Sequence, residues 1–289
     1  MKKLVSLCLG VSVLALTACQ KADTPATETA AADALQKVTI ASSGSDTDVW
    51  NYIATLPETK KAGIELKVQN FTDYVSMNTA VANKDIDANA FQSYAYMVAY
   101  NLNNKDKIAP IATTYLEPMG IYSSKYKQVA DFPQGAAIAI PNDGANESRA
   151  LLLLQSAGLI KLKADFDPVK GTPGDIIENN KKLDLKPIQM ATAVRVKDDV
   201  DAIVLGNVLA MEGGLNVIKD SIYHEPIDQS TKLNVNIIAV ADSRKNDPVL
   251  AKLGTLYHSE AVKKYVQEHF DGTKVDVNKP VSYLTDATS

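Results

Sequence analysis

Aromatic and amide side chains follow the β-branched runs of this sequence. Phe71 and Tyr74 come just after residues 64–68, Phe91 ends the run 86–91, and Tyr96 comes soon after it. Tyr115 ends the extended stretch that begins at 108. Asn142, Asn146 and Arg149 follow the apolar run 136–140, Asn207 follows 200–205, and Asn236 lies in the run 235–240. An arginine offers a carboxylate two parallel N–H donors. At the start of a helix it would act beside free backbone N–H groups that favour an anion. Side-chain amides accept from an ammonium and donate to a carboxylate. Aromatic walls enclose an apolar or thioether side chain. Together these groups suit a small zwitterion with an apolar tail. Each also has a plainer reading taken singly: Phe71, Phe91 and Tyr115 as core, Arg149 as a helix-surface partner, Asn142 as a helix cap.

Catalytic patterns are missing. His224, His258 and His269 are scattered, and none has metal-ligand spacing to another histidine or to a cysteine. There is no nucleophile elbow, phosphate loop or dinucleotide fingerprint. The expectation is a binding protein and not an enzyme, with no metal or cofactor. A net charge of −4, more negative still once Lys2 and Lys3 are removed, argues against nucleic acid and against a polybasic membrane patch.

Positioning such groups requires strand ends. Runs 38–41, 64–68 and 86–91 read as strands, with helices about 49–56 and 75–83 between them. After extended candidates at 108–115 and 119–123, the pattern restarts. Strand 136–140 leads through the turn residues Pro141, Asn142, Asp143 and Gly144 into a helix 149–159 stopped near Gly158. Strands 185–190 and 200–205, a late strand 235–240, and helices near 248–257 and 260–270 complete the chain. Such alternation predicts an α/β fold with largely parallel sheets. Asp85-Ile86-Asp87-Ala88 echoes Asp199-Val200-Asp201-Ala202, as two similar lobes would. Ligands of open α/β sheets bind outside the carboxyl ends of the strands. The segments 115–122 and 234–240 are expected to cross between lobes, giving residues 37–116 plus 237–289 as lobe 1 and 117–236 as lobe 2. Asp198, Asp199 and Asp201 read as solvated surface.

The N-terminal residues carry a separate signal. Lys2 and Lys3 precede an apolar stretch 4–16 that is too short to span a bilayer. A basic start, a short apolar run and small residues at its end make a secretory signal peptide, here residues 1–18. Leu16-Thr17-Ala18-Cys19 resembles the bacterial lipobox, which places lipid on Cys19. Stable anchoring needs more than one acyl chain. Gln20 in the next position would not retain the protein on an inner membrane. Residues 19–36, polar and without aromatics, read as a flexible tether. With Cys8 removed and Cys19 lipidated, no disulfide supports the fold. The whole sequence is 46% hydrophobic, and the remainder is long enough to build a core without one.

Several segments, taken together, resemble one family. Lys84-Asp85-Ile86-Asp87-Ala88-Asn89-Ala90-Phe91-Gln92, Leu116-Glu117-Pro118-Met119-Gly120-Ile121-Tyr122-Ser123, the run from Ile138 through Asn142, Asn146 and Arg149 to Leu162, and Val235-Asn236-Ile237-Ile238 are similar to stretches of the methionine-binding (NlpA-type) lipoproteins of ABC importers. The resemblance covers the chain from about residue 37 into the last helices. It implies a two-lobed periplasmic binding protein, type 2-like, of two α/β lobes joined by two crossing segments. It further implies capture of methionine or a related amino acid by hinge closure, and delivery to an ABC permease and its ATPase from a lipid anchor on the cell envelope, facing the periplasm in a Gram-negative cell. Arg149 matches the arginine that holds the ligand carboxylate, Asn236 a pocket asparagine, and Tyr74, Phe91 and Tyr96 the pocket aromatics. Three departures stand out. Ser93 replaces the family's histidine, Gly144 its proline, and Gly206 its asparagine, with Asn207 beside it as a stand-in. A lost amide contact costs about 1–3 kcal/mol, enough to change the ligand to another amino acid, a methionine derivative or a small peptide. A lipoprotein acting through protein partners in the envelope is the other reading.

Overall fold

Two five-stranded sheets carry the structure. The computed structural model describes residues 35–226 and 229–285. The signal segment 1–18, Cys19 and nearly all of the tether lie outside the described residues.

The first sheet contains β1 (Gln36–Ser42), β2 (Ile64–Asn70), β3 (Ala88–Ser93) and β4 (Ile108–Thr113). The second contains β5 (Met119–Tyr122), β6 (Ala137–Pro141), β7 (Asp184–Ile188), β8 (Ala202–Gly206) and β9 (Tyr223–His224). The chain then returns to the first sheet as β10 (Asn236–Ala241). The spatial orders are β2-β1-β3-β10-β4 and β7-β6-β8-β5-β9. The sheets are mixed, which corrects the expectation of largely parallel ones. β1 pairs in parallel with β2 and β3, and β6 with β7 and β8. β10 runs antiparallel to β3 and β4, and β5 antiparallel to β8 and β9. The reason is topological. β5 and β10 are entered by passing from the other sheet, not through a right-handed helical crossover, so nothing holds them parallel to their neighbours.

The central strands are covered on both faces, which is why β6, β8 and β10 read as continuous apolar runs. Ile238 and Val240 of β10 face one core with Trp50, Ile53 and Leu253, whereas Ile237 and Ala239 face another with Met77 and Val81. In the second sheet, Ile138 and Ile140 pack with Leu151 and Leu154, and Ala139 with Ile203 and Leu205.

The internal echo has one structural role in both places. Asp87 accepts from the backbone N–H of Thr39 on β1 at 2.7 Å, and Asp201 accepts from that of Ala137 on β6 at 2.8 Å. Asp87 thereby tethers the start of β3 to β1, and Asp201 the start of β8 to β6. Asp201 is therefore not the solvated residue its neighbours suggested; its side chain is only 21% exposed.

Helices α1 (Gly44–Thr55), α2 (Tyr74–Ala82), α3 (Tyr94–Asn103), α4 (Gly144–Ser156) and α5 (Asn207–Glu212) each follow a strand end, and α6 (Pro248–Tyr257) and α7 (Glu260–His269) close the chain. The cap of α4 is Asp143, not Asn142: its Oδ1 accepts from the Asn146 N–H at 3.1 Å. Its far end turns on Gly158, at φ +72°, where the left-handed backbone favours glycine.

Within α4, Leu151 is fully buried and Leu152 is 36% exposed. Urea unfolding should show Leu151→Ala losing about 2–5 kcal/mol. Leu152→Ala should stay within about 0.5 kcal/mol of the parent.

Candidate ligand-binding site

A cavity of about 580 Å³, its open mouth included, lies where the strand ends and helix starts of the two sheets meet. Six of the ten residues singled out in the sequence line it: Tyr74, Phe91, Tyr96, Asn146, Arg149 and Asn236.

Three of them form a cage. The ring centroids of Tyr74 and Phe91 are 5.1 Å apart, those of Phe91 and Tyr96 5.9 Å, and those of Tyr74 and Tyr96 6.4 Å, the last two pairs edge-to-face. Local chemistry fixes each ring. Asp73 caps α2, accepting from the N–H groups of Val75 and Ser76 at 3.0 and 3.3 Å, and so orients Tyr74. Ser93 caps α3 by accepting from the N–H of Tyr96 at 3.2 Å. Serine suits this position because its hydroxyl satisfies a free helix donor. Beneath Phe91, the amides of Asn78, Asn89 and Gln92 bond one another in a buried network at 2.7–2.9 Å. It holds β3 rigid where it reaches the cavity. The remaining apolar wall comes from Met190, Val208 and Leu209.

The polar groups divide into satisfied and unsatisfied ones. Arg149 is buried and ion-paired: Nε donates to Glu225 Oε1 at 2.9 Å, and Nη2 to Oε2 at 2.6 Å. Nη2 also donates to the Glu117 carbonyl at 2.8 Å. Glu225 accepts further from the Met119 N–H and from Asn234. The bidentate edge of the guanidinium is therefore taken, and Nη1 alone has no partner among the described residues. Burial works against the charge of Arg149, but Glu225 outweighs it and raises the pKa above its ordinary value. Asn236 is 5% exposed, and its side-chain amide has no partner among the described residues. Asn146 donates to Asp143 at 2.9 Å.

The other four predicted residues lie elsewhere. Phe71 and Asn142 line an outer chamber, with Gln189, Arg195 and Glu212, that shares Ser43, Tyr74, Tyr96, Met190 and Leu209 with the inner cavity. Tyr115 is buried behind the wall, its hydroxyl donating to Asp46. Asn207 is also fully buried behind it. Its Nδ2 donates to Glu117 Oε2 at 3.0 Å, and its Oδ1 has no partner. Gly206 itself lines the cavity. A Cβ added there would meet only Met190 Cε, at 3.7 Å, so the position has room for a side chain. Gly144 is the first residue of α4, a place that proline also fits, and its departure touches the helix start rather than the cavity.

Sequence reasoning missed Asp46, Glu117, Lys274 and Glu225. Lys274 has no exposed side-chain surface and pairs with Asp46 at 2.5 Å and Glu117 at 2.9 Å. Burial pushes Asp46 up to about 6, against the pull of Lys274. Lys274 is held above its ordinary range because the two carboxylates outweigh its burial. Only Glu117 had a signal, its place in the crossing segment.

Residues 37–278 match the family described as NlpA lipoprotein. The chain belongs to the NlpA lipoprotein family. It is 35% identical to a protein of Pasteurella multocida named as a probable D-methionine-binding lipoprotein, MetQ, over 93% of this chain and 96% of the relative. A solved nutrient binding protein from Burkholderia cenocepacia bound to methionine is 38% identical, with a TM-score of 0.79 over 83% of this chain and 99% of that one. The substrate binding protein of a methionine transporter from Streptococcus pneumoniae is 37% identical, with a TM-score of 0.76 over 83% and 95%. These likenesses, with the two sheets above, place this NlpA lipoprotein among the two-lobed α/β periplasmic binding proteins.

Arg149→Ala should leave Glu225 buried and unpaired and cost about 3–5 kcal/mol in denaturant unfolding, whatever its effect on binding. Replacing both residues by methionine should recover most of that loss.

Proposed function

We propose that this chain is the solute-capturing component of an ABC importer, held to a membrane of the cell envelope by lipid on Cys19. It takes up methionine or a closely related amino acid between its lobes and delivers it to a permease and ATPase. The lobe boundaries are those drawn from the sequence, residues 37–116 with 237–289 and residues 117–236. Binding is its role, without catalysis.

One observation carries the reading. A three-sided aromatic cage, the unpartnered amide of Asn236 and the open Nη1 of Arg149 converge on one cavity. A thioether side chain gains from sulfur–aromatic contacts in such a cage. The amino-acid head meets Asn236 and Asn146 and the one free arm of Arg149. With a single arm, Arg149 holds the carboxylate at one oxygen, and the amides complete the contact. Asp46 and Glu117 add negative charge to the same wall, which excludes anionic ligands without a compensating cation. Phe71 and Asn142 contact a ligand only if it reaches into the outer chamber, and Tyr115 and Asn207 act by holding the wall.

Gly206 favours a second reading. The space beside Met190, continuous with the outer chamber, admits a methionine derivative, a bulkier amino acid or a small peptide.

The test is thermal unfolding of the refolded, ligand-free protein with L-methionine, D-methionine and short methionyl peptides. A ligand at 100 times its dissociation constant adds about 2.7 kcal/mol and raises the midpoint by several degrees. No shift from any of them, in a folded protein, would overturn the reading. Asn236→Ala should keep the unfolding midpoint in the absence of ligand, because no protein partner is lost. It should weaken ligand binding by about 1–1.5 kcal/mol in a calorimetric titration.

A further inference from the structure

The inner wall of the cavity is short of one positive charge. Asp46, from the first turn of α1, and Glu117, from the passage between the sheets, both line it. The cation between them, Lys274, cannot reach the cavity: its side chain is fully buried and covered by the rings of Tyr115 and Phe270, at 4.1 and 5.2 Å. Three of the four carboxylate oxygens are engaged. Asp46 Oδ1 and Glu117 Oε2 accept from Lys274, Asp46 Oδ2 from the Tyr115 hydroxyl, and Glu117 Oε2 again from Asn207. Glu117 Oε1 has no partner among the described residues, although the residue is only 9% exposed. Arg149 does not balance the excess, because Glu225 already neutralises it at 2.6 Å.

We propose that Glu117, backed by Asp46, receives the ammonium group of the ligand, and that Asp46 sets how strongly the cavity demands a cation. This rests on the reading that the cavity holds the ligand. A desolvated carboxylate with an open oxygen gains a charge-assisted hydrogen bond from an ammonium that a neutral group cannot supply. The placement suits an α-amino acid. Nη2 of Arg149 donates to the backbone carbonyl of Glu117 itself, so the guanidinium that receives the ligand carboxylate sits against the residue that receives the ammonium, and the two groups of one α-carbon can meet both.

A pH dependence follows. The ionisable groups around Asp46 are Lys274, Glu117, Tyr115, Tyr257 and Tyr74, with Glu212 beside the adjoining Gly44. Burial raises Asp46 to about 6. An incoming ammonium favours its ionised form, so affinity increases as pH rises through that value and is lost below it.

The test is a calorimetric titration of the full lipoprotein, in detergent and freed of ligand by refolding. Its probes are L-methionine, L-methioninamide (which keeps the ammonium) and 4-(methylthio)butanoate (which lacks it). The wild type should bind methionine about 30-fold or more tightly than the butanoate, and Glu117→Gln should reduce that preference to a few-fold. Methionine affinity should fall about tenfold between about pH 7.5 and about pH 5 in the wild type, and Asp46→Asn should flatten the profile. Equal binding of methionine and the butanoate overturns the assignment while the function stands. So does a folded Asp46→Asn protein with the wild-type profile, which decides the matter if Glu117→Gln does not fold. Failure of methionine and methioninamide alike to bind the folded wild type overturns both.

Discussion

Glu117 is where two buried ion clusters join. Its carboxylate accepts from Lys274 and Asn207, and its backbone carbonyl accepts from the Arg149 side chain that is paired with Glu225. A buried charge without its partner costs several kcal/mol, so none of these groups can move alone. α1 brings Asp46, the C-terminal loop brings Lys274, α4 brings Arg149, and the segment after β9 brings Glu225. The start of α5 adds Asn207. Pieces of both sheets are thereby held to the short passage that connects them. An apolar core of the same volume often stabilises a chain as much as such buried charges or more. The consequence of the arrangement is to fix where the charged groups at the cavity can sit.

Around that junction, caps decide the positions of the groups that line the cavity. Asp73, Ser93 and Asp143 each end a strand-to-helix turn by accepting from a free backbone N–H, and Tyr74, Tyr96 and Asn146 lie within the first turn that follows. The paired tethers from Asp87 and Asp201 align β3 with β1 and β8 with β6. One sheet supplies the aromatic cage and the other Arg149 and Asn146. Neither lines the cavity alone.

Much of this was legible in the sequence wherever the cause was local. Strand periodicity gave the order of elements, and residues placed just after strands, such as Tyr74, Phe91, Tyr96 and Arg149, do reach the cavity. Local pattern could not give pairings between distant residues. Lys274 stands 228 residues from Asp46, and Glu225 76 from Arg149. Nothing in the neighbourhood of either marks a partner. Tyr115 and Asn207 have the right chemistry and the right strand-end placement, yet face the back of the wall, because one residue of register decides which side a group serves. The orientation of β5 and β10 was likewise out of reach: it depends on the passage between sheets, and apolar strands of either direction read alike. Ser93 shows the opposite case, a departure from the family's residue whose role as the cap of α3 is local and visible once the helix start is known.

The most direct test of the account is a crystal structure of the protein with L-methionine. The account predicts the thioether among Tyr74, Phe91 and Tyr96, the carboxylate against Nη1 of Arg149 and the amide of Asn236, and the ammonium on Oε1 of Glu117, with the Arg149–Glu225 pair intact. Methionine seated in the outer chamber beside Phe71 and Asn142, or bound with Arg149 released from Glu225, would contradict it.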